Sequence, residues 1–372
     1  MREIQALVLE SGKPVLRTRS APRAHHPDDV VVRVAATGIC GTDRGIVLGE
    51  FPALEGVVLG HEAAGVVETV GSAVTRLRPG DRVVVNPTYH CGRCRPCRRG
   101  MAAHCTAKDG REIGVDRDGT MAGAVVVPKG FALPLPDSMS FRRAAVVEPL
   151  ACVLTNVEAA APRPDDRVLV IGGGPIGTLC ALVFAHRGAR TVLLERDTTR
   201  AALARDILPD GVEVVGGPGH GPGHGPGHGP GHGPGHGPGL ALPAGVLPHG
   251  PDVVVDTTGV LLEQALEIVA SGGTVVVMGE REHARASVPL RPLVTRGVRV
   301  IGAGPYPPHL FEAALDLAAD LPIDRIVTHT FPLAAYRDAF AALAAPLEPA
   351  TAPAAYAAMK VLLVSDPDLA TR

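Results

Sequence analysis

The chain has 372 residues, and at roughly 150 residues per domain two domains are expected and a small peptide module is excluded. Lys plus Arg (36) nearly balance Asp plus Glu (38), leaving a formal charge of −2, without the basic excess that marks binding to nucleic acid or an anionic membrane. With 46% hydrophobic and 3% aromatic residues, the chain can fill a large core but offers little for base stacking, so a small-molecule partner is expected.

From the N-terminus, Met1 to Pro14 lacks an apolar run with a cleavage site, so no secretory signal is expected. Short β runs follow at Val30 to Ala35, Val57 to Leu59, Gly65 to Val70, Arg82 to Val85 and Ala124 to Val127, broken by Gly and Pro, which reads as a compact β-rich domain. After Pro162 and Pro164 the texture becomes strand, Gly-rich turn and helix: Arg167 to Ile171, Pro175 to Arg187, Thr191 to Glu195. That is βαβ grammar. Val168 to Ala185 is uncharged and long enough to imitate a membrane span, but its glycines favour a strand and helix around a turn. A strand near Val212 to Val215 precedes five copies of Pro-Gly-His-Gly over 218–237, with histidines at a period of four. Gly and Pro keep that tract out of sheets and helices; it is read as a neutral surface-loop expansion, the alternative being a metal-chelating loop. The βαβ pattern resumes with Asp252 to Asp256, Leu262 to Ala270, Thr274 to Met278 and Val298 to Ile301. Helices at Leu310 to Ala319 and Leu333 to Ala345, and a strand at Met359 to Val364, are expected to return to the first domain. The expected boundaries are 1–156, 157–303 and 304–372.

Seven cysteines are present, four of them in the pattern C-x2-C-x2-C-x7-C formed by Cys91, Cys94, Cys97 and Cys105. Such crowding suits a reduced, cytoplasmic metal protein better than a disulfide scaffold. Two-residue spacers let thiolates converge on one tetrahedral zinc, and four of them leave no open position, so this site is structural, with an iron–sulfur cluster as the rival. A second set is more mixed. Cys40 and Thr42 in Gly38-Ile-Cys-Gly-Thr-Asp43, His61 and Glu62 in Gly60-His-Glu, and Glu148 in Val147-Glu-Pro-Leu offer a thiolate, an imidazole and two carboxylates, the donors of a catalytic zinc with an open position. Asp43 is expected to accept the second ring N–H of His61, and Thr42 to hydrogen-bond the oxygen at the metal.

Gly172-Gly-Gly174-Pro175-Ile176-Gly177 is G-x-G-x-x-G between an apolar strand and an apolar helix. Its glycines serve the turn, the approach to a pyrophosphate and helix packing. Glu195, eighteen residues past Gly177, can accept the ribose hydroxyls of NAD, whereas Arg196 and Arg200 leave room for the 2′-phosphate of NADP.

In order, GICGTD, GHE, the four-cysteine lobe, EPL and the glycine loop resemble the zinc-dependent medium-chain alcohol dehydrogenases, and most of all their polyol, threonine and glucose dehydrogenase branches. The resemblance implies a GroES-like catalytic domain and a Rossmann nucleotide domain, hence an α/β protein with two zinc ions and NAD or NADP. It implies Cys40 and His61 as zinc ligands, with Glu62, Glu148 and water competing for the other positions, Thr42 on the substrate hydroxyl, and Thr257 along the cofactor. It further implies hydride transfer from a secondary alcohol of a polyol, sugar, amino alcohol or cyclitol such as 2-deoxy-scyllo-inosamine, an intermediate of antibiotic biosynthesis, and a homodimer or homotetramer. One departure is Gly45, where polyol and threonine members place a histidine that relays the substrate proton. Rival readings are a threonine-type amino alcohol dehydrogenase, a zinc-free quinone or enoyl reductase, and a non-catalytic metal-handling protein that uses the histidine repeat.

Overall fold

The computed structural model describes residues 2–216, 247, 249–345, 347 and 356–370; the Pro-Gly-His-Gly tract lies outside them. The chain divides into two units, Met1–Ala151 with Tyr306–Arg372, and Cys152–Pro305.

In the first unit, β1 (Glu3–Glu10) and β2 (Lys13–Ser20) form an antiparallel hairpin. Its two turn residues, Ser11 and Gly12, both take positive φ, 52° and 71°, which matches the twist of the flanking strands. The remaining strands of this part are β3 (Asp29–Gly38), β4 (Glu62–Val70), β5 (Arg82–Val85), β6 (Ala124–Pro128) and β7 (Ala132–Pro134). Val57 to Leu59, expected as a strand, instead makes two backbone bonds to β1 around an isolated bridge at Val58. Glycines at 56 and 60, both at positive φ, bend the chain away on either side, so no ladder can extend.

The second unit holds β8 (Arg167–Ile171), β9 (Arg190–Glu195), β10 (Glu213–Gly216), β11 (Val253–Asp256), β12 (Thr274–Val277) and β13 (Arg299–Ile301) in one parallel sheet of order β10-β9-β8-β11-β12-β13. Val168 to Val170 and Val253 to Val255 are buried runs, as expected of central parallel strands covered on both faces. The order of strands reverses between β8 and β11, so their carboxyl ends flank the crevice in which ligands bind such sheets. The apolar run from Val168 is β8 followed by the helix Pro175–His186, and no helix among the described residues is long and apolar enough to cross a membrane.

The chain returns to the first unit with β14 (Val327–Pro332) and β15 (Lys360–Val364), giving a seven-stranded sheet of order β14-β15-β3-β4-β5-β7, with β6 on β3. The helix expected over Leu333 to Ala345 is shorter. A 3-10 turn, Leu333–Ala335, precedes the helix Tyr336–Ala342, and Ala344 at φ 55° ends it in the left-handed conformation of a C-cap. The helix Val147–Ala160 is not marked by the sequence pattern; Pro149 sits in its first turn, where no N–H is needed.

Candidate active site and metal centres

β3 and β4 bring the first cluster together. Gly38, the last residue of β3, lies opposite Glu62, the first of β4, so the segments carrying Cys40 and His61 continue from one paired end of the sheet. Cys40 caps the helix Gly41–Val47, and Asp43 in that helix is fully buried. Asp43 accepts the Cys40 N–H at 2.8 Å and the Gly60 N–H at 3.2 Å. This corrects the expected bond from the His61 ring: a carboxylate three residues past the cap reaches the cap amide by geometry, and its second oxygen then ties down the neighbouring loop. Burial raises the Asp43 pKa, opposed by the charge of His61.

Ligand atoms of Cys40, His61 and Glu62 all lie within 4.8 Å of one another. Burial works to lower the His61 pKa, yet Cys40, Asp43 and Glu148 together hold it well above the usual value. Cys40, His61 and Glu62 thus offer a thiolate, an imidazole and a carboxylate within reach of one ion, a donor set that suits a zinc-like cation. The Thr42 hydroxyl stands 3.8 Å from the Cys40 sulfur. Glu148, 8% exposed, falls outside the 4.8 Å group and accepts a hydrogen bond from the Tyr306 hydroxyl at 3.1 Å. Burial raises its pKa, with His61 opposing and Glu62 reinforcing.

Two side chains here escape sequence reasoning. Lys360, at the head of β15, forms an ion pair with the Glu62 carboxylate and donates to the Ile39 carbonyl at 3.0 Å. Tyr306 positions Glu148. The only sequence signal for Lys360 is a charge opening an apolar strand, and for Tyr306 there is none. A Cβ on Gly38 would lie 2.0 Å from the Glu62 carboxylate, so a side chain there would push that carboxylate away from Lys360. At Gly45 a Cβ would come within 3.2 Å of the Phe51 Cβ, so a side chain there needs the exposed Phe51 to give by a few tenths of an ångström.

The cysteine lobe gathers Cys91, Cys94, Cys97 and Cys105 within 4.8 Å. Bonds of 2.3 Å to a tetrahedral zinc place sulfurs about 3.8 Å apart. Cys94 lies 3.8 Å from Cys105 and 3.3 Å from Cys97, so the set fits one ion with small adjustment. Backbone N–H groups of Cys91 and Ala107 point at the Cys105 sulfur and that of Cys94 at the Cys91 sulfur, a thiolate environment. Backbone N–H groups, that of Cys97 first, pull Cys94 down to about 6, while burial pushes Cys97 up to about 11.

In the second unit the glycine loop joins β8 to its helix. Gly172 has φ 99°, and a Cβ there would strike the Thr257 hydroxyl at 2.5 Å; one on Gly177 would lie 1.7 Å from the Gly172 carbonyl. Gly174 caps the helix and Pro175 and Ile176 open it. Glu195, 4% exposed, accepts the Gly173 N–H at 2.7 Å and the Asp197 N–H at 2.8 Å, with Arg200 3.9 Å away. The Arg200 guanidinium also lies 3.8 Å from where a Gly174 Cβ would stand, at the mouth of the loop. Thr257 donates to the Ile171 carbonyl at 2.7 Å, tying the ends of β8 and β11. Asp256, fully buried and not singled out by its sequence context, gathers the N–H groups of Thr258, Gly259 and Leu261 and so shapes the facing loop.

Comparison with known proteins adds three family matches: the alcohol dehydrogenase GroES-like domain over residues 26–137, zinc-binding dehydrogenase over 245–320, and an FAD binding domain over 165–208. The last covers only the unit around the glycine loop, which flavin and nicotinamide proteins share. A sequence of Aspergillus clavatus assigned as a D-xylulose reductase is 31% identical over 314 residues, 81% of this chain and 82% of that one. The L-idonate 5-dehydrogenase of Vitis vinifera is 31% identical over 315 residues, 82% and 81%. A protein of Sinorhizobium meliloti 1021, assigned as a zinc-binding dehydrogenase and crystallised with NADP, is 32% identical, with a TM-score of 0.82 over 98% of this chain and 100% of that one.

Proposed function

The chain belongs to the zinc-dependent medium-chain dehydrogenase family, and on that premise we propose that it oxidises a secondary alcohol of a polyol or sugar, passing hydride to NAD or NADP. The observation that carries this reading is the convergence of Cys40, His61 and Glu62 at one end of the first unit's sheet, in a chain that also has the glycine loop with Glu195 behind it. The relatives named above act on, or are named for, xylulose and idonate, which supports a polyhydroxylated substrate.

Cys40 and His61 would hold a catalytic zinc, with Glu148 or water completing its shell, and the four cysteines of the lobe a structural one. Glu62 is the weaker candidate, because Lys360 already engages its carboxylate. Zinc supplies Lewis acidity that lowers the pKa of a bound hydroxyl, and the nicotinamide accepts the hydride. The protein's own part is positioning and proton transfer. Asp43 locks the Cys40 and Gly60 amides, which fixes the directions from which the thiolate and imidazole approach. Thr42 Oγ1 would take the proton of the substrate hydroxyl as its own hydroxyl proton passes to water, since Gly45 provides no imidazole for this step.

In the second unit Gly172, Gly174 and Gly177 would admit the pyrophosphate at the N-terminus of the helix that Pro175 and Ile176 open, and Glu195 would hold the ribose. Thr257 maintains the loop. Arg200, 3.9 Å from Glu195, would meet a 2′-phosphate, which supports NADP as an alternative to NAD. The finer reading extends the substrate class to cyclitols and aminocyclitols such as 2-deoxy-scyllo-inosamine, within antibiotic biosynthesis, by a cytoplasmic homodimer or homotetramer. The test is NAD(P)H formation by zinc-loaded protein over polyols, aldoses, amino alcohols, cyclitols and aminocyclitols. Turnover of a polyhydroxylated alcohol supports the reading, and turnover of threonine alone favours the amino alcohol branch.

A further inference from the structure

Away from the metal clusters, the first unit contains a cavity of about 380 Å³ between the N-terminal hairpin and the segment that follows the cysteine lobe. Its floor is apolar, with Val58, Ile113 and Phe131 each at most 8% exposed. Its rim is cationic. Arg19, Arg111 and Arg117 all line it, against one carboxylate, Asp118. That carboxylate is already engaged, accepting the Val58 N–H at 3.0 Å and facing Arg19 at 3.5 Å. Arg111 rests on the Tyr89 ring, 4.7 Å from its centroid, and donates to the Tyr89 hydroxyl. Tyr89 is in turn stacked on Phe131 at 5.8 Å, so this guanidinium is held at the mouth of the cavity. The Arg117 guanidinium has no partner among the described residues.

An apolar pocket with a few convergent polar groups is the ordinary form of a small-molecule site. We propose that this cavity binds a small organic anion, a carboxylate or phosphate monoester with an apolar tail, the tail on the Val58, Ile113 and Phe131 floor and the anion between Arg111 and Arg117. Guanidinium groups suit both anions because their paired N–H donors match two oxygens at once. A neutral molecule of equal size would leave the excess positive charge unanswered. The far wall is continuous with the His61 segment: the Gly119 N–H donates to the Val58 carbonyl at 2.8 Å, and a Cβ on Gly119 would stand 2.2 Å from the Gly60 carbonyl. The proposal does not depend on the identity of the alcohol oxidised.

The test is calorimetric titration of the zinc-loaded full chain, saturated with NAD, with octanoate, octyl phosphate and neutral octanol. One saturable site for an anion is expected, with Arg117→Gln, and more so Arg111→Gln with Arg117→Gln, weakening it at least about tenfold. Octanoate and octyl phosphate together distinguish a carboxylate from a phosphate preference. Arg117 is exposed, so its variant keeps the fold, which a thermal melt verifies. Absence of saturable binding, octanol binding as tightly as octanoate, or anion binding unchanged in Arg117→Gln would each overturn the proposal, the last by placing the ligand elsewhere.

Discussion

Lys360 and Glu62 form an ion pair almost sealed from water, 3% and 1% exposed, between the last strand of the first unit's sheet and the residue that follows His61. Burial acts to lower the Lys360 pKa, but Glu62 and Cys40 more than compensate, so it is raised and the ammonium stays charged. The pair explains why a lysine opens an otherwise apolar strand: its charge is answered at the metal cluster.

Removing one partner strands the other in the core. Lys360→Met is expected to cost about 3–5 kcal/mol, and adding Glu62→Leu to recover more than half of that, because an apolar pair replaces a buried ion pair at little cost. Denaturant unfolding of the two variants checks it. A single variant within about 1 kcal/mol of the parent would mean that water reaches the pair.

The cysteine lobe should be separable from the chemistry. Cys94→Ser is expected to lower zinc from two ions per chain to one and to reduce thermal stability, with metal analysis and a melt as the readouts. Undiminished zinc content would remove the lobe as a metal site.

Glu195 accepts the Gly173 amide, and the proposed function also gives it the ribose. Glu195→Ala is expected to raise KM for NAD by about tenfold or more while changing kcat less, in line with loss of charge-assisted hydrogen bonds. Arg200→Ala should raise KM for NADP and leave that for NAD nearly unchanged. Equal effects on both dinucleotides would place Arg200 away from the 2′-phosphate.

Arg167, at the start of β8, is bound by Asp252 through its side chain and its own N–H, at 2.8 to 2.9 Å. The Arg167 hydrogen bond, against the opposing effect of burial, holds the Asp252 pKa below the ordinary carboxylate range. A lowered folded-state pKa contributes stability above the unfolded value of about 3.9, lost as pH falls through the folded value. Asp252→Asn is therefore expected to cost about 1 kcal/mol at neutral pH and to flatten the loss of stability below about pH 4. A variant with the same acid limb as the parent would contradict this.

Much of the second unit is legible in the sequence because its signals are local. Apolar runs of strand length, glycines at fixed offsets and an acidic residue at the end of β9 each act within one βαβ unit. The candidate metal ligands, which the fold gathers into two clusters, are legible as candidates for a similar reason, since Cys40, His61 and the four lobe cysteines sit in short motifs. The partners of those ligands are not. Lys360 reaches Glu62 across a separation of about three hundred residues, and Tyr306 reaches Glu148 across 158, pairings that strand order creates and no local pattern announces. The expected Asp43 to His61 bond failed because residue types alone do not say that a helix cap captures the carboxylate first.

The most direct test of the central claim compares the parent with Cys40→Ser in zinc content, dinucleotide binding and NAD(P)H formation from a polyol that the parent oxidises. Cys40→Ser is expected to keep the lobe zinc and bind the dinucleotide normally, but to lose the second zinc and all measurable turnover. A Cys40→Ser protein that carries one zinc fewer and still oxidises the polyol at the parental rate would contradict that claim.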